Sequence, residues 1–176
     1  MIKRFISIYS FLFILTIQCA FAQSLDIGKL KINGKIGYYL SIESLKSYNI
    51  EIDSITPIPI LMDISTADSL IYFGKSYFQY YKDSDYCHLG VIIFDEKITN
   101  IEIGEITLNQ NTTIESIQKM FPLACKELQK IAIHEDISEY KCCSIPLEID
   151  GQYQDLYLLL FFTKNKLKRI HLFEPS

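Results

Sequence analysis

Tyr157-Leu-Leu-Leu-Phe-Phe-Thr-Lys-Asn-Lys-Leu-Lys-Arg-Ile-His-Leu172 reads as two strands around a tight reversal. Residues 155–163 are an apolar run, Lys164-Asn165 is a turn signal, and 166–173 sets Leu167 and Ile170 against Lys166, Lys168 and Arg169. That alternation is the mark of a strand with one buried and one solvated side. A related stretch lies upstream, Leu89-Gly-Val-Ile-Ile-Phe-Asp-Glu-Lys-Ile-Thr-Asn-Ile-Glu-Ile103, differing by one residue at the turn. Further strands are expected at 29–32, 58–62, 70–82, 88–94, 100–108 and 140–149, all rich in Ile, Leu and aromatic residues. Asn33-Gly34, Asp83-Ser84-Asp85, Asp95-Glu96 and Asp150-Gly151 separate them and suit hairpins, so the sheet should be mainly antiparallel.

Two segments follow a helical period instead. Ile42, Leu45 and Tyr48 come after Ser41, and Ile114, Ile117 and Phe121 come after Thr112-Thr113. Each opens with a hydroxyl cap, and Thr112 with Glu115 has the spacing of a capping box. Pro122 ends the second helix, and 123–131 is expected to form another short one. Ser41-Ile-Glu-Ser-Leu45 and Thr113-Ile-Glu-Ser-Ile117 match in order. The expected fold is therefore α+β, an antiparallel sheet with helices packed on one face, in two tandem helix-plus-meander units at 23–103 and 104–176, with one continuous domain as the alternative.

The chain starts like an export signal. Lys3 and Arg4 precede an uncharged stretch, 5–17, too short to cross a bilayer as a helix, and Ala20-Phe21-Ala22 suits cleavage before Gln23. The rival reading, a lipid anchor on Cys19, lacks the usual residues before that cysteine. Removing 1–22 leaves 15 basic against 21 acidic residues, a net charge of −6, with Arg169 the one arginine remaining. An acidic chain so poor in arginine is not a nucleic-acid surface. No transmembrane span is expected in the mature chain, which should be periplasmic or secreted.

Four cysteines follow the signal: Cys87, Cys125, Cys142 and Cys143. An even number in an exported chain points to disulfides. Adjacent strand residues face opposite ways, so Cys142 and Cys143 should each find a distant partner, and three connectivities stay open. His88, His134 and His171 are the histidines available for chemistry. Cys87-His88 is no dyad while the two sit next to each other on a strand. No zinc spacing, glycine-rich phosphate loop or nucleophile elbow occurs, so neither catalysis nor a cofactor or metal is expected.

The Ser/Thr-Ile-Glu-Ser helix openings and the closing Phe-Phe-Thr-Lys-Asn-Lys-Leu-Lys-Arg-Ile hairpin resemble the β-lactamase-inhibitor-protein-like superfamily, which includes the small lipoprotein of the outer-membrane β-barrel assembly machinery. The resemblance implies a concave sheet that grips a protein target, as in inhibitors and toxin-neutralising proteins. It also implies a disulfide from Cys125 to Cys142 or Cys143, with Cys87 taking the remaining one or staying free.

Aromatic residues carry the remaining signal. Tyr72, Tyr77, Phe78, Tyr80 and Tyr81 crowd 70–82, with Tyr38 and Tyr39 nearby in sequence. Read as one strand, Tyr72, Phe78 and Tyr80 share a side, while Phe73, Tyr77 and Tyr81 take the other. The functional expectation is a non-catalytic module binding another protein through an aromatic sheet face. The alternatives are an envelope hydrolase acting on glycan or cell-wall substrate and a structural envelope component.

Overall fold

The computed structural model describes residues 24–48, 51–59, 66–133 and 136–175, and for 136 and 137 the backbone alone. The export signal with Cys19, most of the strand expected at 58–62, and His134 lie outside the described residues.

In chain order the strands are β1 (Leu25–Asp26), β2 (Leu30–Ile32), β3 (Tyr39–Ser41), β4 (Ser54–Pro57), β5 (Ser69–Phe73), β6 (Ser76–Tyr81), β7 (Tyr86–Ile93), β8 (Asn100–Ile103), β9 (Ile106–Asn109), β10 (Gln129–Ile133), β11 (Asp136–Ile149), β12 (Gln152–Thr163) and β13 (Lys166–Phe173). Among the described residues two α-helices interrupt them, α1 (Ile42–Ser47) and α2 (Ile114–Met120), besides a single 3-10 turn at Ile27–Lys29. The large sheet runs β1-β11-β12-β13-β7-β6-β5-β4, and β2-β8-β9 form a smaller sheet. Every pair is antiparallel except β1 with β11, so the large sheet is mixed.

Two strands of the large sheet are shared along their length. β13 pairs with Val91, Ile92 and Ile93 of β7, while β3 pairs with Tyr86, Cys87 and His88 on the same edge. β11 likewise takes β10 along one half of its edge and β1 along the other. The sheet therefore forks between β3 and β13, and that fork opens the cleft described below.

One face of the large sheet is dry. Ile145, Leu158, Leu160, Phe162, Ile170, Leu89 and Phe78 lie there, each no more than 1% exposed. Leu30, Ile32, Ile101, Ile103 and Leu108 of the small sheet close over them in the same cluster, joined by Leu45 of α1 and by Ile114 and Ile117 of α2. The expected α+β fold with helices packed on the sheet is thus corrected to a mostly β architecture. The reason is length: helices of six and seven residues span only about two turns and present one or two apolar side chains each. A sheet of three strands presents more: Leu30, Ile32, Ile101, Ile103 and Leu108 all join the core.

The helix starts are as local chemistry dictates, with one change. Ser41 accepts from the Ser44 amide at 3.1 Å, and Thr113 accepts from Ser116 at 3.2 Å while the Ser116 hydroxyl accepts from the Thr113 amide. The capping box is therefore Thr113 with Ser116, not Thr112 with Glu115. Thr112 instead accepts from the Asn109 amide. No helix forms over 123–131; 121–128 is a series of turns and Gln129–Ile133 joins the edge of β11. Two stretches expected as single strands are hairpins, 70–82 reversing at Gly74 (φ +59°) and 100–108 at Gly104 (φ +60°). Positive φ is open to glycine without steric cost, which is why the reversals fall there.

Candidate functional site

The second face of the large sheet carries the chemistry. Among the described residues no helix or strand packs over it, since both helices and the small sheet belong to the opposite core. Its tyrosines are brought together by two hairpin registers. The turn through Asp83-Ser84-Asp85, with Asp85 at φ +51°, sets Tyr81 opposite Tyr86. Pairing of β3 with β7 sets Tyr39 opposite His88, one step along the same face. The result is a column of three rings: Tyr39 on Tyr86 at 4.6 Å between centroids and Tyr86 on Tyr81 at 4.7 Å, with planes 28° and 16° apart. Tyr38 stands edge-on to His88 at 6.1 Å.

Across the fork, the start of β12 and the chain beyond β13 complete a cleft of about 440 Å³, lined by these tyrosines and His88 together with Gln154, Asp155 and Glu174. Tyr39 is 54% exposed at its mouth. Burial pushes the Tyr38, Tyr81 and Tyr86 phenols up, and the Glu174 carboxylate adds to the effect at Tyr81 and Tyr86. Burial pushes the His88 imidazole down, against a smaller upward pull from Glu174. The phenols therefore keep their protons and His88 stays neutral near pH 7, so the fixed charges facing the cleft are Asp155 and Glu174.

A second hollow of about 480 Å³ lies on the same face, between the 124–129 turn and strands β11, β12 and β13. Cys142, Ser144, Tyr157, Leu159 and Phe173 line it. Toward the middle of the sheet, Arg169 is 9% exposed and its Nε donates to His171 Nε2 at 2.7 Å. Burial and the Arg169 charge push His171 down to about 3. That imidazole packs against Phe161, centroids 4.5 Å apart and planes tilted by 46°. With Nε2 accepting from arginine, His171 orders the sheet surface and has little basicity to offer a proton-transfer step.

The cysteines divide between the faces. Cys125 bonds to Cys143, with Cα atoms 5.1 Å apart, whereas Cys87 and Cys142 are free and buried. Cys87 belongs to the dry core and Cys142 to a small cluster on the second face with Tyr140 and Phe161, so the two free thiols cannot meet. Burial raises both to about 11, which keeps them as thiols near pH 7. Cys87 and His88 face opposite ways along β7. Among the described residues no group of three His, Cys, Asp or Glu side chains could hold a metal ion.

Of the aromatic residues singled out from sequence, the hairpin at Gly74 redistributes the sides. Tyr72 pairs with Tyr77, centroids 5.7 Å apart, on the same face as Tyr81, and Phe73 packs on Phe78 in the core. Phe78 is fully buried and presents no surface. Tyr80 packs against the core and donates its hydroxyl to Asp85 at 3.1 Å. Tyr77 lies over Gly90, where an added Cβ would collide with its ring. Only Tyr81 of the five reaches the cleft. Tyr86, Asp155 and Glu174 were missed, although Tyr86 could have been found by folding the 83–85 turn signal and reading off what faces Tyr81.

Fold and cleft together define a mostly β protein with, among the described residues, a Cys125–Cys143 disulfide and an aromatic, acidic cleft on one sheet face. No protein-family model matches the chain, and no curated protein or solved structure matches it either. Among the described residues no helix is long and apolar enough to cross a membrane.

Proposed function

We propose that this is an exported, non-catalytic module that holds another protein against the second face of its large sheet, with Tyr39, Tyr81 and Tyr86 as anchors. The observation that carries the reading is the three-ring tyrosine column at the mouth of the fork. Tyrosine offers a large apolar area at small entropic cost and a hydroxyl that tolerates water, and such residues dominate the energetics of protein interfaces. Here they stand on paired strands, so little ordering is left to be done on binding.

Export is supported by the signal-like start and by the Cys125–Cys143 bridge, which suits an oxidising compartment. The non-catalytic reading is supported by the separation of Cys87 from His88 and by the occupied lone pair of His171. The test compares immobilised wild type with a Tyr39→Ala/Tyr81→Ala variant of the same secondary structure, challenged with the envelope and secreted proteins of the producing cells. A protein held by the wild type and lost at least about tenfold by the variant is the expected result. Equal retention by both would overturn the reading, as would release of sugars from cell-wall material by the wild type.

A further inference from the structure

The tyrosine cleft has a charge pattern that selects its occupant. Its lining contains no lysine or arginine, and it has two acidic side chains, Asp155 and Glu174. Among the described residues neither is in an ion pair, unlike Asp26, Glu51, Asp53 and Glu139, which face Lys29, Lys97 and Lys130. His88 brings no positive charge at neutral pH, because burial holds it in the neutral form. Four phenol rings line it beside Ile149, Gln154 and Leu156, and the face of an aromatic ring attracts cations through its quadrupole. An anionic ligand would meet two negative charges without compensation, and a neutral ligand would leave both of them idle.

We infer that the cleft is an ammonium-binding site, and that its occupant is a lysine side chain of the protein partner. The inference rests on the reading of the second face as a protein-binding surface, and it names the chemistry of the partner at that point. A lysine suits the shape as well as the charge. Its four-carbon stem can lie along the half-buried edges of Tyr81 and Tyr86 while the ammonium reaches Glu174, whose field already acts on both phenols. The net charge of −4 on the whole chain adds a long-range attraction for a basic partner surface.

The experiment titrates the full protein with three short peptides identical but for one position: lysine, Nε-acetyl-lysine and norleucine. The signal is tyrosine fluorescence, since the chain has 12 tyrosines and no tryptophan. Binding of the lysine peptide should be at least about tenfold tighter than that of the other two. It should fall by a similar factor in Glu174→Gln and further in Glu174→Gln/Asp155→Asn, changes at exposed positions whose folding is checked by an unchanged melting temperature. Choline is the fourth ligand, because a quaternary ammonium compound shares the cation but not the protein source.

Equal binding of the lysine and acetyl-lysine peptides, or full binding by the charge-neutralised variants, would overturn the inference. Choline binding without lysine-peptide binding would also overturn it, by moving the site to a small molecule. If the lysine peptide fails while partner retention still depends on Tyr39 and Tyr81, this inference alone falls. If retention is also indifferent to those tyrosines, the binding face itself is wrong.

Discussion

Cys142 and Cys143 are neighbours in sequence, yet they belong to different environments. Cys143 turns to the dry face, bonds to Cys125 and sits among Ile145, Leu158 and Leu160. Cys142 turns the other way and lines a hollow with Ser144, Tyr157 and Phe173. The same division runs across the whole sheet: Phe78, Leu89 and Leu167 on one side, and Tyr77, His88 and Arg169 on the other. One face is built to exclude water completely. The other keeps polar tips on apolar bodies, the composition of a surface that is wet when free and dry when covered.

Stability should separate the faces most sharply. Phe78→Ala removes a fully buried ring from the core and should cost about 3–5 kcal/mol in denaturant unfolding. A cost under about 1 kcal/mol would mean that the face is not packed as described. Next in size is the Cys125–Cys143 bridge, which closes a sequence separation of 18 residues; reduction should cost about 3 kcal/mol and lower the melting temperature. A melting curve indifferent to reductant would remove the bridge from the account.

The His171 imidazole gives a smaller, pH-dependent effect. Its folded pKa is depressed from 6.5 to about 3, so between those values the unfolded chain binds more protons than the folded one. The stabilisation is fully present above pH 6.5 and is lost as pH falls, at about 1.4 kcal/mol per unit until the folded group titrates. Between pH 6.5 and 5, before most carboxylates titrate, wild type should lose about 2 kcal/mol that a His171→Phe variant keeps. Parallel curves for the two proteins would contradict the neutral, arginine-bound imidazole. The smallest effect is expected at Tyr39, 54% exposed, where alanine should change stability by no more than about 0.5 kcal/mol while weakening partner retention.

How much of this was readable from sequence depends on range. The bounds of the last strand and its turn were legible, because they are specified by neighbours in the chain and β13 is Lys166–Phe173. Arg169, expected on the solvated side, is instead 9% exposed, since a bulge between Phe161 and Phe162 shifts the pairing. Helix starts were legible for the same reason, since Ser41 and Thr113 cap amides three residues away. The Gly74 reversal is not legible, because a lone glycine in a strand-like run signals a strand irregularity as well as a turn, and taking 70–82 as one strand puts Tyr72 and Phe73 on the wrong sides. The second sheet was invisible as a layer, because β2 meets β8 only across some 70 residues of chain. The cleft is still less local: Tyr39, Tyr86, Asp155 and Glu174 meet only through the fork between β3 and β13, which no spacing rule contains.

The central claim is that the tyrosine column on the second face meets a protein partner. A photo-crosslinking amino acid placed at position 39, and in a separate variant at Ile55, tests it most directly, because Ile55 is about as exposed, at 53%, but lies on β4 at the far edge of the sheet. A discrete adduct formed from position 39 in the producing cells and absent from position 55 is the predicted result. Adducts from 55 alone, or none from 39 when the protein is abundant and folded, would contradict it.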